Sequence, residues 1–450
     1  MLHSFSFENF RSMKGRQTLS LFRSGDGTTS RLAVDGNLAG GDISPVAVIF
    51  GANASGKSTI IHAMTYIRWI IRQSSRLEAG RKLPNEAFAL DDVSRDLPFF
   101  CEIEFSIRDR VFRYSFSVQT GIIATESLAE IVQGPRRRST RRLFTRKTEG
   151  TDTKIDVSSV LTGPKKAIIA ATRPNSLFLS KAAHENFKPL LEIYEWFVDP
   201  VMGSFGGNRL SGDEGIRKLE SDTDYRPWIG NLLTNADLGV IDVSVRSPKA
   251  RPSSELVARV AGIISSLNAS SSDNDPEDLA FAEEWLFESN RSPQLHHRYA
   301  DHVKSPGVIP WEDESQGTHA LWNISSSIYD SLKTGRALLI DELSSLHPLL
   351  VRAIISTYQS ERSNPNKAQL IFTSHDLNLL GSWGGQGYLL DRDQIWLTEK
   401  EYHSGSSNLI PLTDFSPRKE EDIEKMYLQG RYGAVPALGP LFNVDPQVLA

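Results

Sequence analysis

The sequence has very little cysteine and no excess of positive charge. Its 450 residues include one cysteine, Cys101, which excludes an internal disulfide and any zinc site built from several cysteines. Lys and Arg total 50 against 55 Asp and Glu, so the net charge of −5 provides no global attraction to nucleic acid or to an anionic membrane. We therefore expect a cytoplasmic protein whose contacts with polyanions, if it makes them, are local.

Long apolar runs, internal repeats and a leader pattern are also missing. No apolar stretch approaches the about 20 residues of a membrane-spanning helix, and neither a fixed repeat nor sustained heptads are present. Residues 1–14 alternate apolar and polar side chains, so we expect no signal peptide. With 39% hydrophobic and 23% charged residues, the composition is that of a globular chain of two or three domains.

Apolar patterns divide the chain into three parts. A fully apolar strand pattern occupies 46–50 and similar patterns return at 337–341, 369–373, 388–390 and 395–397, which predicts one α/β sheet, parallel at its centre, built from both ends of the chain. Alternation on both sides of Asp109 and Arg110 predicts a hairpin within an antiparallel lobe at about 85–170. Helical spacing begins near 187. The predicted domains are therefore 1–180, a helical insertion at 181–310, and 311–450.

The strand at 46–50 leads into a phosphate-binding loop of the form G-x-x-x-x-G-K-S, followed by a helix pattern. In that position, backbone N–H groups and the helix dipole hold phosphate oxygens. Lys57 is predicted to reach the β and γ phosphates and to assist catalysis, and the Ser58 hydroxyl to complete the shell of a Mg²⁺ ion. The predicted nucleotide-binding residues are Gly51, Asn53, Ala54, Ser55, Gly56, Lys57, Ser58 and Thr59.

Three later features complete a candidate site. Asp341 and Glu342 follow a buried strand, so one carboxylate is predicted to bind the metal and the other to polarise the attacking water. His375 follows the next strand, and Ser315 with Gly317 opens a helix as a second anion site. Alone, these residues would also suit a solvated strand end or an ordinary helix cap. The phosphate-binding loop favours the functional interpretation.

Together, these elements resemble the ABC-type ATPase heads of the SMC and RecF class, especially the compact branch related to OLD-family and abortive-infection ATPases of bacteria. The resemblance covers most of both ends of the chain. It rests on the runs 9–12, 51–58, 314–318, 341–348 and 373–376, with 392–396 and 427–433 also similar to bacterial members.

The resemblance implies roles that the residues alone do not. Ser315 and Gly317 would form the signature element, His375 the switch histidine, and Arg11 a basic contact near the phosphates. Two copies would dimerise head to head around Mg²⁺ and ATP, with the signature helix of each copy facing the γ-phosphate held by the other. Glu342 would then set how long the dimer stays closed.

By the same resemblance, the setting is bacterial antiphage defence, with a separate effector such as a nuclease as partner. A RecF-like ATPase that binds DNA in repair is the alternative, and a nucleotide-gated scaffold with negligible turnover is a third. Only residues 343–345 separate Glu342 from Leu346, one residue fewer than is usual, and Gln73 lies too close to the first helix to supply the usual loop glutamine. We therefore expect slow hydrolysis.

Two further motifs have alternative interpretations. The basic run Arg136–Lys147 suits either a solvated edge strand or a surface for nucleic acid or an acidic partner. Asp391 and Asp393 form a D-x-D motif of the kind that metal-dependent nucleases use, but no partner glutamate is evident upstream. We therefore assign the nuclease to a separate protein.

Overall fold

The structure is a computed structural model that describes residues 1–24, 41–133, 138–150, 152–198, 213–248, 251–267, 276–297, 307–343, 346–382, 387–418 and 420–436. None of the helices in these ranges combines the length and the apolar character that crossing a bilayer requires.

Strands and helices are mixed along these ranges. The strands are β1 (Leu2–Glu8), β2 (Gln17–Ser20), β3 (Val46–Gly51), β4 (Phe99–Ile107), β5 (Arg110–Gln119), β6 (Ile122–Gln133), β7 (Arg138–Glu149), β8 (Asp152–Val157), β9 (Val240–Arg246), β10 (Ser292–His297), β11 (Gly307–Val308), β12 (Ala337–Ile340), β13 (Gln369–Thr373), β14 (Ile395–Lys400) and β15 (Ser407–Pro411). The helices are α1 (Lys57–Gln73), α2 (Asp92–Asp96), α3 (Lys165–Ala171), α4 (Phe178–His184), α5 (Lys188–Val198), α6 (Asp213–Ser221), α7 (Tyr225–Asn235), α8 (Ser254–Leu267), α9 (Pro276–Ser289), α10 (Gln316–Thr334), α11 (Pro348–Tyr358) and α12 (Ile423–Leu428).

The chain forms two compact units. The first comprises Met1–Gly207, Ser331–Ser344 and Val351–Ala450, and the second comprises Asn208–Asp330 and Ser345–Leu350. The first unit is thus built from both ends of the chain. Helices α4 and α5 belong to it, so the boundary falls near residue 208, whereas the sequence pattern placed it at 181.

A five-stranded sheet in the order β12-β13-β3-β14-β15 carries the phosphate-binding loop. Its first four strands are parallel, and β15 pairs antiparallel with β14. Strand β3 lies at the centre, and its residues from Val46 to Phe50 are fully buried, which matches their unbroken apolar character. The predicted fold class, with a sheet assembled from distant parts of the chain, is confirmed.

The seven-stranded sheet of the first unit is antiparallel, in the order β2-β1-β4-β5-β6-β7-β8. The hairpin predicted at Asp109 and Arg110 joins β4 to β5. Helix α1 places Ile60, Ile67 and Ile71 in one hydrophobic core with residues of this sheet and of the five-stranded sheet. Each buried isoleucine contributes about 1.5–3 kcal/mol, which fixes the start of α1 against the end of β3.

The second unit contains the helices α6 to α9, most of α10, and a three-stranded antiparallel sheet in the order β11-β10-β9. The interval predicted as a helical insertion therefore also contains β structure. Its core includes Tyr225, whose hydroxyl shares a 2.9 Å hydrogen bond with Ser325 and whose ring packs edge-on against Tyr329 at 5.1 Å between centroids.

Two local predictions are wrong. Residues 388–390 do not form a strand, since only Tyr388 makes an isolated bridge to Ser382. Their apolar character reflects burial of Leu389 and Leu390 in a turn. The described part of the basic run also does not form an edge strand, because β7 pairs with β6 on one side and with β8 on the other.

Candidate functional site

The phosphate-binding loop needs both of its glycines. Gly51 has a φ of 155° and Gly56 a φ of 103°. A Cβ on Gly51 would lie 2.3 Å from Oγ1 of Thr398, and a Cβ on Gly56 would lie 2.7 Å from Cβ of Ser407. Ala54 also has a positive φ of 60°, so the loop turns back on itself before α1 begins. The neighbouring strands β14 and β15 are therefore in direct contact with the loop.

Lys57 is buried, with 6% of its surface exposed. Its Nζ donates hydrogen bonds of 2.9 Å to the carbonyl oxygens of Gly51 and Ala52. Burial lowers the pKa of Lys57 to about 8, although the nearby carboxylates of Glu342 and Asp341 act in the opposite direction. The ammonium is thus hydrogen-bonded to the backbone of its own loop. In a nucleotide complex, phosphate oxygens would replace the two carbonyls as its acceptors.

Ser58 meets the predicted metal-binding carboxylate. Its hydroxyl donates a 3.0 Å hydrogen bond to Oδ1 of Asp341, and Thr373 donates a second bond of 2.8 Å to the same oxygen. Thr373 also accepts a 2.9 Å bond from the backbone N–H of Glu342. A hydroxyl and a carboxylate beside a phosphate-binding loop are the oxygen donors that Mg²⁺ prefers, so this pair fits the ion that the sequence predicts.

Glu342 lies at the edge of the sheet with an unusual backbone. Its φ is 66°, a left-handed conformation that is uncommon for a residue other than glycine, and its side chain is exposed. The hydrogen bond to Thr373 holds its backbone N–H in this conformation. The short spacing noted in the sequence involves Ser344 and Ser345, which lie outside the described residues.

His375 belongs to the same cluster. Burial lowers its pKa, the positive charge of Lys57 lowers it further, and the carboxylates of Glu342 and Asp341 oppose both effects. The imidazole is therefore neutral near neutral pH, when it can donate one hydrogen bond and accept another. The structure thus brings Lys57, Ser58, Asp341, Glu342 and His375 together in the first unit.

The turn that contains Arg11 is attached to the start of α1. Ser12 and Thr59 share a hydrogen bond of 2.8 Å between their hydroxyls. Arg11 has a φ of 48°, and its Nε donates a 2.9 Å bond to the carboxylate of Glu86. Buried Asn9 supports the turn by donating to three backbone carbonyls and accepting from one backbone N–H. The guanidinium is thus paired with a carboxylate that the sequence did not indicate.

The predicted signature residues lie in the second unit. Ser315 caps α10, since its hydroxyl accepts a 3.0 Å hydrogen bond from the N–H of Thr318. Gly317 lies in the first turn of the helix, and Ser315 is exposed. Just before the cap, Glu314 shares a 2.7 Å hydrogen bond with His297 of β10. This bond ties the beginning of α10 to the three-stranded sheet.

Comparison with known proteins shows the family of this chain. Residues 46–381 match the family described as "AAA domain, putative AbiEii toxin, Type IV TA system". The chain belongs to this AAA family. The predicted relation to AAA-type ATPases of the abortive-infection kind is thereby confirmed, and the matched range contains the phosphate-binding loop, the carboxylate pair and His375. ATP binding is the activity that this family suggests.

Among solved structures, this AAA-family chain is similar to the SMC head domain from Thermotoga maritima. The two share 11% sequence identity, the match covers 91% of this chain and 98% of that chain, and the TM-score is 0.37. No curated protein matches the sequence.

Sequence reasoning on this AAA-family chain missed several hydroxyl groups. Thr373 opens the run 373–376, and its position at a strand end beside His375 was a usable signal. Thr398, which shares a 2.6 Å hydrogen bond with Ser55, and Ser407, which lies against the loop, had no local signal. These contacts come from sheet neighbours that are distant along the sequence.

The basic run has acidic partners on β7 itself and on β4, β6 and β8. Arg136 and Arg137 lie outside the described residues. The ion pairs that the structure describes are Arg138–Glu104 (3.8 Å), Arg141–Glu130 (3.5 Å), Arg142–Asp156 (2.9 Å), Arg146–Glu126 (3.8 Å) and Lys147–Glu149 (2.5 Å). Because these carboxylates oppose the positive charges, the potential available to a polyanion is smaller than the sequence suggests.

The D-x-D motif is used inside the protein. Nη2 of Arg23 donates a 2.9 Å bond to Asp391, and the N–H of Ser24 donates a 3.1 Å bond to Asp393. Only 5% of the Asp391 side chain and 6% of the Asp393 side chain are exposed. Both carboxylates therefore hold the segment that contains Arg23 and Ser24.

Proposed function

We propose that this AAA-family chain is an ATP-driven switch. It binds Mg²⁺ and ATP, dimerises head to head around them, hydrolyses ATP slowly, and controls a separate effector in bacterial antiphage defence. The observation that carries the proposal is the convergence of Lys57 and Ser58 with Asp341, Glu342 and His375 in one cluster.

Each residue of the cluster has a chemical task. The Lys57 ammonium neutralises charge on the terminal phosphates, and the backbone of 51–58 surrounds them. Ser58 and Asp341 hold the metal ion, which supplies electrostatic stabilisation of the leaving phosphate oxygens. Glu342 orients and polarises the attacking water, and neutral His375 donates a hydrogen bond to the γ-phosphate. The Arg11 guanidinium adds a positive charge if it leaves the Glu86 carboxylate and binds a phosphate oxygen.

Steady-state ATPase measurements test the hydrolytic step. Replacing Glu342 with Gln keeps the size and one hydrogen-bonding oxygen of the side chain but removes its charge. We expect at least a ten-fold fall in turnover, in the range by which a positioned general base accelerates a reaction, with ATP binding retained. Equal rates in the wild type and the Glu342→Gln variant would remove Glu342 from the mechanism and favour a scaffold without turnover.

A complementation assay tests the head-to-head dimer. The Lys57→Ala variant lacks the loop lysine, and the Ser315→Arg variant blocks the signature, so each is expected to be inactive alone. A mixed dimer contains one site with both defects and one site with neither. We therefore expect activity to return when the two inactive proteins are mixed. Continued inactivity of a demonstrated mixed dimer would show that the two residues do not complete one site in trans.

The second unit supports a protein partner. Residues 208–330 contain 20 acidic and 11 basic side chains, a net −9 against −5 for the whole chain. Phe281 and Trp285 lie one turn apart on α9 and are 59% and 52% exposed. Exposed aromatic side chains in an acidic surface suit a basic protein better than DNA, because negative charge repels phosphates.

Copurification tests this surface. The candidate effector is the product of the neighbouring gene, expressed together with the protein. We expect the Phe281→Ser/Trp285→Ser variant to lose the effector and to keep the ATPase rate. The DNA-repair alternative predicts instead that the protein binds DNA alone, in an ATP-dependent and salt-sensitive way, and that charge reversal at Arg138, Arg141 and Arg142 abolishes binding. The ion pairs of these arginines give that alternative less support.

A further inference from the structure

The turn between β14 and β15 lies beside the phosphate-binding loop. Strand β14 runs parallel to β3, so the two strands have their carboxyl ends at the same edge of the sheet. The turn at 401–406, which joins β14 to β15, therefore lies at the edge from which the phosphate-binding loop emerges. At the end of the turn, Ser407 lies against Gly56, and its N–H donates a 2.7 Å hydrogen bond to the carbonyl of Ser12. The turn, the Ser12 segment and the start of α1 are therefore in direct contact.

The direction of a bound triphosphate follows from the sheet order. Ser58 and Asp341 mark the metal and the terminal phosphates, and Asp341 follows β12 on one side of β3. Strands β14 and β15 lie on the other side of β3. Ligands of such sheets occupy the crevice beyond the carboxyl ends of the strands. A nucleotide with its terminal phosphates at Ser58 therefore extends its sugar and base towards the turn at 401–406.

Two apolar side chains are exposed at that place. Tyr402, in the turn, is 94% exposed, and its ring lies edge-on to that of His403, at 5.4 Å between centroids. Leu90 is 61% exposed, and its Cδ1 would lie 2.7 Å from a Cβ on Gly405. Leu90 thus packs against the same turn. Single exposed apolar residues are ordinary, but here Tyr402 belongs to the turn at 401–406, and Leu90, from a distant segment, packs against Gly405 of the same turn.

We propose that Tyr402 and Leu90 form the nucleobase subsite, in which the Tyr402 ring stacks on the base and Leu90 covers its apolar edge. This inference rests on the proposed ATP binding and adds the part of the ligand that the phosphate-binding loop does not contact. Because stacking uses the flat face that every base has, the subsite accepts purines in general. ATP and GTP therefore bind with similar affinity.

Calorimetry with ATP and with inorganic tripolyphosphate, both with Mg²⁺, tests the subsite. Stacking of one base contributes about 1–3 kcal/mol, so the Tyr402→Ala variant should bind ATP about 5- to 150-fold more weakly. Its affinity for tripolyphosphate should stay within about two-fold of the wild type. The Tyr402→Trp variant should keep the wild-type affinity for ATP, and Leu90→Ser should lose part of it. Leu428→Ser, which changes a side chain of α12 that is also 61% exposed, serves as the matched control.

The outcomes separate this proposal from the proposed function. Wild-type protein that binds ATP no more tightly than tripolyphosphate would overturn the base subsite and leave phosphate binding intact. An unchanged ATP affinity in Tyr402→Ala, or an equal loss for both ligands, would also overturn it. A wild-type protein that binds neither ligand would contradict ATP binding itself.

Discussion

Nucleotide binding should weaken with pH as Lys57 loses its charge. Burial lowers the pKa of this ammonium to about 8. At about pH 7 about nine tenths of the molecules carry the charge, and at about pH 9 about one tenth do. Phosphate oxygens raise the pKa of the ammonium in the complex, so binding above about pH 8 takes up a proton. We therefore expect the dissociation constant of Mg²⁺ and ATP to increase about ten-fold between these two pH values.

Titration calorimetry measures both the affinity and the proton. At about pH 8.5, buffers with different heats of ionisation should give different apparent binding enthalpies, with a slope equivalent to uptake of a proton. In the Lys57→Arg control the guanidinium stays charged, so its affinity, even if lower, should not change over this range. A flat wild-type affinity without proton uptake would refute the reasoning.

Folding stability should change in the opposite direction. The pKa of Lys57 is 10.5 when the side chain is exposed, as in the unfolded chain, and about 8 in the native protein. Between these values the unfolded chain binds more protons than the native one, so this group makes the folded state more stable as the pH rises. Thermal melts across the same pH range therefore distinguish loss of the ammonium charge from loss of the fold.

Three further outcomes are expected. Gly56→Ala should lower the free energy of unfolding by about 2 kcal/mol, because the new Cβ would clash with β15. Gly230→Ala, on α7, places its Cβ in open space and should not be destabilising. Denaturant titration of both variants measures the difference. Glu126→Gln should cost about 3–5 kcal/mol by removing the carboxylate charge that faces buried Arg146, and adding Arg146→Met should cost less than the sum of the two changes. Thr373→Val should lower turnover about ten-fold, whereas Thr373→Ser, which keeps both hydrogen bonds, should retain the rate in the same ATPase assay.

The local parts of the site were predictable from the sequence. The phosphate-binding loop is contiguous with its strand and its helix, so the spacing of Gly51, Gly56 and Lys57 was sufficient. The carboxylate pair could be placed because parallel strands end at one edge of a sheet. Contacts between distant segments were not predictable in this way, since nothing near Ser407 indicates that it lies against Gly56.

The basic run illustrates a second limit. A sequence displays charges but not their partners. Glu104, Glu130 and Asp156 lie on other strands, and only the register of the seven-stranded sheet brings them to the arginines of β7. The positive charge of the run alone suggested a surface for a polyanion. In the folded protein, carboxylates of this same chain pair with most of those positive charges.

The central position of β3 has a consequence for biosynthesis. Its two neighbours in the sheet, β13 and β14, follow more than 300 residues later. At about 5–20 residues per second, a ribosome needs on the order of 20–60 s to deliver them after β3 has emerged. During that interval the phosphate-binding loop has no completed sheet behind it. If the proposed function is right, nucleotide binding and pairing with a second copy therefore require that synthesis has already passed β14.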